Sequence, residues 1–393
     1  MLNVIRAGVW LAAASWIGLA VARGRFWDAR ADGLRAADER SAQAAPDVQI
    51  IVPARNEADV IGRTLGSLVN QVYSGSVAIT CVDDRSSDAT AAEANAVAAS
   101  AGAAERVEIV QGTPRPDGWA GKVWALAQGV ASARERGRRP DYWWFSDADV
   151  EHDPDTLARL VATARLDGRD CVSQMVALHC GSRWERLLIP AFVYFFRMLY
   201  PFAWVNDDRR ATAAAAGGCV LISDAMLQRI GGVERIRGAL IDDCSLAAAV
   251  KGEGGTLWLG LATTSRSVRP YASLDEIWSM VARSAYTQLR YSPLLLAGTV
   301  AGMVVLYGVP PAATVAGVAL RRWDIAAGGL CGWLVMAATY APTLRLYGVP
   351  RTAALGLPVA GAMYTAMTVD SALRYARGSG GRWKGRDFTP SAN

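Results

Sequence analysis

The sequence predicts an α/β domain built on a mixed, mostly parallel sheet, with transmembrane helices at both its N- and C-terminal sides. Three observations predict this. From Val48 onward the chain repeats a unit of strand, loop and helix. Acidic residues recur where those strands end: Asp83, Asp84, Asp147 and Asp149. Of the 393 residues 52% are apolar, and the excess is concentrated in long runs at the two ends.

The first run, Val4 to Ala22, holds Arg6 near its start and is followed by Arg23, Arg25, Arg30 and Arg35. It is longer than the apolar core of a secretory leader and nearly long enough to span a bilayer. The arginine excess behind it puts the next domain on the cytoplasmic side. Ala29 to Asp47 is a polar, Ala-rich connector.

Val48 to Ala54 reads as a short buried strand, followed by Arg55, Asn56 and Glu57 and a helix to about Val72. Val77 to Val82 is a second strand, after which Ser86, Ser87, Asp88 and Thr90 offer N-cap chemistry to an Ala-rich helix. Arg106 to Val110 is a third strand, and a Pro/Gly loop from Thr113 to Gly121 opens another helix. Tyr142 to Asp153 (YWWFSDADVEHD) holds the fourth. Alternation along a strand puts Asp147 and Asp149 on one face where it emerges. A lone D-x-D is more readily a solvated acidic turn. Here four acids share the carboxyl edge of a parallel sheet, where such sheets bind ligands. Two carboxylates with substrate phosphates suit Mg²⁺ or Mn²⁺.

Further strands are expected at Val172 to Leu178, Ala216 to Ser223 and Thr256 to Leu261, with a helix from Leu240 to Val250 that opens on Asp242 and Asp243. Trp184 to Trp204 is aromatic but interrupted by Arg186, Arg197, Pro190 and Pro201, which suits a membrane-surface helix or a buried one. Leu274 to Leu289 reads as an amphipathic interfacial helix. Apolar stretches follow at Pro293 to Leu320, Ala326 to Pro342 and Ala353 to Val369, the first broken by Pro310–Pro311 into one tilted span or a re-entrant pair. The basic tail (Arg374, Arg377, Arg382, Lys384, Arg386) favours a cytoplasmic C-terminus and four crossings.

Composition excludes some classes. A net charge of +5 implies no nucleic-acid surface. Six scattered cysteines without C-x-x-C, and two histidines, argue against zinc and for reduced core thiols in a cytosol-facing domain. The C-terminal stretches hold few polar residues at mid-depth, which makes a transporter a poor reading.

Six motifs, in order, resemble glycosyltransferase family 2, inverting enzymes with a GT-A nucleotide-sugar fold: IVPARNEADVI, VDDRSSDAT, GKVWAL, SDAD, GGCVLIS and LIDDCSLA, spanning Val48 to Leu261. The GWAGKVWALAQG stretch and the membrane layout are most similar to hopanoid-biosynthesis-associated members. The resemblance implies a membrane-bound transferase moving a sugar from a UDP-sugar to a lipid acceptor, with a divalent cation (Mg²⁺ or Mn²⁺) as cofactor. It implies Asp149 as direct metal ligand and Asp147 on metal or ribose, Asp84 at the uracil, and Pro53, Asn56 and Glu57 near the nucleoside. Lys122, after a glycine at a helix start, suits a phosphate. Asp243 falls on the family's general base, with Asp242 beside it. Alone, that pair could equally complement a helix dipole. Where processive members carry Q-x-x-R-W, this chain reads Thr287-Gln288-Leu289-Arg290-Tyr291, which weakens polymer synthesis while leaving Arg290 available to the diphosphate.

The expected divisions are residues 1–23 (anchor), 24–47 (connector), 48–270 (GT-A domain), 271–291 (interfacial helix), 292–370 (transmembrane region) and 371–393 (basic tail), in a bacterial-type inner membrane with the catalytic domain facing the cytoplasm. Transfer to polyprenyl phosphate or a short polysaccharide is the alternative within the class. A degenerate GT-A scaffold is the alternative outside it, and the joint presence of Asp84, Asp149 and Asp243 argues against it.

Overall fold

The computed structural model describes residues 2–30, 33–37, 45–100 and 103–378. Parts of the connector and of the basic tail, with Arg382, Lys384 and Arg386, lie outside the described residues. The described residues divide into two compact units, one running over Ala31–His179 and Trp204–Pro270, the other gathering 2–30, Cys180–Ala203 and 271–378.

The first unit is built on an eight-stranded sheet. Its strands are Val48–Ala54 (β1), Val77–Asp83 (β2), Val107–Gln111 (β3), Tyr142–Ser146 (β4), Val150–His152 (β5), Cys171–Ala177 (β6), Cys219–Ser223 (β7) and Leu257–Ser267 (β8). The spatial order is β3-β2-β1-β4-β7-β6-β8-β5. Strands β3, β2, β1 and β4 pair in parallel, as do β6 and β8, while β7 runs antiparallel to both β4 and β6. The apolar runs read from the sequence are these strands: β1 is buried at every position, as a strand covered on both faces must be. Pro53 is tolerated in β1 because the pairing with β4 ends at Ile51, so its missing N–H leaves no gap on that side. The expected strand near Leu261 runs on to Ser267, where β8 turns from pairing with β6 to pairing with β5.

Helices cover the sheet. Ala58–Val69 buries Val60, Ile61, Thr64, Leu65, Leu68 and Val69, the three-and-four spacing of one helical face. Gly121–Glu135 lies close on β1 and β2 through Gly129, where an added Cβ would stand 2.6 Å from Ile51 Cγ2. Behind the end of β4, His152 is fully enclosed. Its ring nitrogens meet the hydroxyls of Ser146 (2.9 Å) and Ser265 (2.8 Å), and Trp144 stands edge-on to it.

The second unit is helical. Among the described residues, five helical stretches are long and apolar enough to cross a membrane: Leu2–Ala22, Arg183–Val205, Pro293–Ala319, Trp323–Leu346 and Arg351–Ala376. The expectation of four crossings falls on all but Arg183–Val205. That stretch contains the buried charged residues Glu185 and Arg197. Glu185 closes a capping box with Ser182 and accepts the Tyr271 N–H at 2.8 Å, and Arg197 donates to the Asp28 carbonyl. Pro310 and Pro311 do not produce a re-entrant pair. The backbone passes them through a π-helical turn at Val304–Gly308, which absorbs the N–H groups that proline lacks. The single amphipathic helix expected over 274–289 is two, Leu274–Ala282 and Ala285–Gln288, because the backbone breaks at Ser284.

Burial alone pushes the His152 pKa down to about 3 from an ordinary 6.5, so the ring is neutral in the fold. The unfolded chain takes up that proton below pH 6.5 and the folded chain does not, so stability is lost as pH falls through this range. We expect wild type to lose up to about 1.4 kcal/mol per pH unit from this group between pH 6.5 and 3. His152→Gln should flatten the slope of Tm against pH over that window. An unchanged slope would show that the ring is protonated in the fold.

Candidate active site

The site gathers at the carboxyl ends of β1, β2 and β4. Because these strands are parallel and in register, the residues that follow them emerge on one edge. A cleft opens there, lined by Pro53, Lys122, Ser146, Asp147, Gly217, Asp242 and Asp243. Phe145, Val220, Val233, Ile236 and Leu246 form an apolar wall.

Asp147 and Asp149 do leave the end of β4, but residues 147–149 form a turn rather than strand, so strand alternation does not orient them. Each faces a different cation. Lys122, in the first turn of Gly121–Glu135, places its Nζ 2.7 Å from Asp147 Oδ1 and 3.2 Å from Asp242 Oδ2. Burial opposes the charge on this ammonium, but Asp147 and Asp242 outweigh it and its pKa is raised. Asp149 Oδ2 lies 3.2 Å from Arg269 Nε, and the same guanidinium pairs with Glu57.

Asp242 and Asp243 open the helix Asp242–Gly252. The Asp243 carboxylate accepts the backbone N–H groups of Gly217 at 2.9 Å and Cys244 at 2.7 Å. Burial, with the negative charge of Asp242 beside it, pushes its pKa up to about 6 despite Lys122 and those two donors. The result is a carboxylate that is ionised at neutral pH yet more basic than an ordinary one.

Asn56 and Glu57 follow β1. Asn56 adopts a left-handed conformation (φ 52°), with its Oδ1 accepting from Ser87 N at 2.8 Å and its N–H donating to Ser86 Oγ. This ties the loops after β1 and β2 together. Asp83 accepts the Ser86 N–H at 3.0 Å and so caps its own turn. Asp84 is fully buried at the same edge, its N–H donating to the Ala54 carbonyl at 2.8 Å. Asn56 and Asp84 do not line the cleft. Arg290 belongs to the helical unit, in a left-handed turn with Tyr291.

Sequence reasoning missed Arg269. The chain has 41 Lys and Arg, nearly all Arg, so one more before a proline carries no signal. It also missed the apolar wall, whose members are separate in sequence.

Among the described residues no cluster of three or more His, Cys, Asp or Glu could hold a metal by itself. The donor set at Asp147 and Asp149 is oxygen only. It fits a hard cation whose coordination is completed by ligand oxygens.

Residues 49–231 match the family described as "Glycosyl transferase family 2". Asp242, Asp243 and Arg269 lie beyond that match. No curated protein sequence matches the chain. Among solved structures it is similar to a mannosyltransferase from Pyrobaculum calidifontis in complex with GDP-Man and Mn²⁺, at 18% identity and a TM-score of 0.54, over 95% of this chain and 99% of that one. It is also similar to glucosyl-3-phosphoglycerate synthase from Mycobacterium tuberculosis, at 18% identity and a TM-score of 0.39, over 64% of this chain and 81% of that one. The fold is GT-A-like, and the match over residues 49–231 supports a glycosyltransferase.

A Cβ at Gly217 would stand 2.8 Å from Lys122 Nζ and 3.4 Å from Asp243 Oδ2. Gly217→Ala should therefore displace the flexible lysine tip rather than the backbone. We expect turnover to fall at least about tenfold while stability changes by less than about 1 kcal/mol. Wild-type turnover in this variant would show that the position of the ammonium is immaterial.

Proposed function

We propose that this glycosyltransferase moves a sugar, with inversion, from a UDP-sugar to the hydroxyl of a membrane lipid, with Mg²⁺ or Mn²⁺ as cofactor. The lipid class suggested by the sequence resemblance is hopanoid-related. The observation that carries the reading is the convergence of Lys122, Asp147, Asp242 and Asp243 on one cleft at the carboxyl edge of the sheet, with Asp149 two residues along.

In this reading Asp243 is the general base. As the acceptor oxygen bonds to the anomeric carbon, the bond from that carbon to the diphosphate breaks and the hydroxyl proton passes to the Asp243 carboxylate. Attack opposite the leaving group inverts the centre. The Gly217 and Cys244 N–H groups fix the carboxylate, and its raised pKa suits it to take a proton. Asp242 orients Lys122, whose ammonium sits where a diphosphate oxygen could exchange with Asp147. Asp149 and Asp147 would hold the cation, which when bound supplies positive charge to the leaving diphosphate. Glu57, Asn56, Asp84 and Pro53 are assigned to the nucleoside side, and Arg290 to the diphosphate.

The helices that could span a membrane support a multi-pass protein, and the arginines behind Leu2–Ala22 support a cytoplasmic catalytic unit in an inner membrane. The apolar wall of the cleft is compatible with an acceptor that is apolar beside its hydroxyl.

Two experiments test this. UDP binding should strengthen at least about tenfold on adding Mn²⁺ in wild type and lose that gain in Asp149→Ala. Equal affinity in all four cases would remove the metal assignment. GDP titrated in parallel decides between UDP and the GDP-mannose bound by the Pyrobaculum enzyme.

Asp243→Asn should keep donor affinity and lose about 10²–10⁴-fold in turnover. In wild type the donor-saturated rate should fall as pH drops through about 6, where Asp243 takes up its proton. Normal turnover in Asp243→Asn, or parallel loss of binding and turnover, would move the base elsewhere, Asp242 first.

A further inference from the structure

Arg269 has no place in the chemistry above, yet it makes the most direct contact with the carboxylate assigned to the cation. We propose that Arg269 is a built-in competitor and positioning residue for that cation: its guanidinium occupies Asp149 and Glu57 while the donor is absent, and turns to the diphosphate when the metal takes Asp149. The inference rests on the assignment of Asp149 to the metal.

The contact is built into the fold rather than left to a free side chain. Strand β5 pairs with the end of β8, Val150 opposite Ser267, and the Val268 N–H donates to the Asp149 carbonyl at 2.8 Å. Arg269 is thereby held one residue beyond the backbone of the very aspartate it pairs with. Pro270 follows, and a residue before proline is confined to extended conformations, which limits where the Arg269 side chain can start. From there its Nε reaches Asp149 Oδ2 at 3.2 Å, and Nη2 pairs with Glu57. Glu57 is nearly buried, at 10% side-chain exposure, whereas Arg269 retains 32%. The guanidinium can therefore leave toward solvent, and the glutamate cannot follow it.

Charge explains why such a residue is present. Glu57, Asp147, Asp149, Asp242 and Asp243 place five carboxylates at one edge, against Lys122 and Arg269. A divalent ion arriving at Asp149 must displace one positive group from it. Once displaced, an arginine tethered beside Asp149 is within reach of a diphosphate bound at the same ion, and its planar fork suits phosphate oxygens. The two steps couple: the ion alone gains a carboxylate and loses little charge imbalance, while the ion with a diphosphate gives the guanidinium a new partner. Cation and nucleotide should then bind cooperatively and each poorly alone.

The test uses the full chain in detergent, with Mn²⁺ alone as the first probe, read by loss of the free Mn²⁺ paramagnetic signal. Arg269→Gln should bind Mn²⁺ without nucleotide at least fivefold more tightly than wild type, because Asp149 and Glu57 are released. The same variant should bind UDP in the presence of Mn²⁺ more weakly than wild type. Arg269→Lys keeps the charge but cannot bridge both carboxylates, and should fall between the two in Mn²⁺ affinity. It also serves if the glutamine variant does not fold. If the variants bind Mn²⁺ no more tightly than wild type, while Asp149→Ala still abolishes the Mn²⁺ effect on UDP binding, the role of Arg269 is overturned and the metal site stands. If Asp149→Ala leaves that effect intact, the metal assignment fails, and the Arg269 inference fails with it.

Discussion

Strands β2, β1 and β4 run parallel and finish on one edge, so the polar residues after each are delivered to the same place. Everything at the site follows from that constraint. Carboxylates brought together in a part-buried cleft repel one another and lose hydration, and either effect would unfold the edge or neutralise the acids. The fold answers with two cations from opposite directions. Lys122 comes from the first turn of a helix, and Arg269 from the far end of β8. At Asp243 burial and the neighbouring Asp242 charge outweigh Lys122 and the backbone donors, and its pKa is raised accordingly.

The strand ends were legible in the sequence because a buried strand has a sharp signature. An apolar run such as YWWF must stop where the chain meets water, and the acids after it mark the spot. Lys122 could be picked out because it follows a glycine at a helix start. The orientation of Asp147 and Asp149 was not legible, since alternation holds only inside a strand and these residues lie in a turn. Arg269 was not legible for a different reason. Its proximity to Asp149 comes from an antiparallel pairing across more than a hundred residues, and no local pattern encodes such a register. The apolar wall of Phe145, Val220, Val233, Ile236 and Leu246 is likewise assembled from strands and helices that are separate in sequence.

The helical unit shows the same division. Length and composition located its long helices. They left open whether the backbone would run through Pro310–Pro311 as one span, because the π-helical turn before the prolines has no signature in apolar spacing. Nor did they predict the break at Ser284, where apolar spacing continues across an interruption of the helical backbone.

The scarcity of lysine has a practical consequence for anyone modifying the protein. Among the described residues there are two, and both ammonium groups are engaged: Lys122 by Asp147 and Asp242, Lys251 by the carbonyls of Asp207 and Arg210. Among the described residues of the sheet-containing unit, amine-directed dyes and surface-immobilisation chemistries consequently meet only these two engaged amines. Any acylation that does reach Lys122 would signal that its carboxylate partners have let go, which turns a generic labelling reagent into a reporter of cleft occupancy.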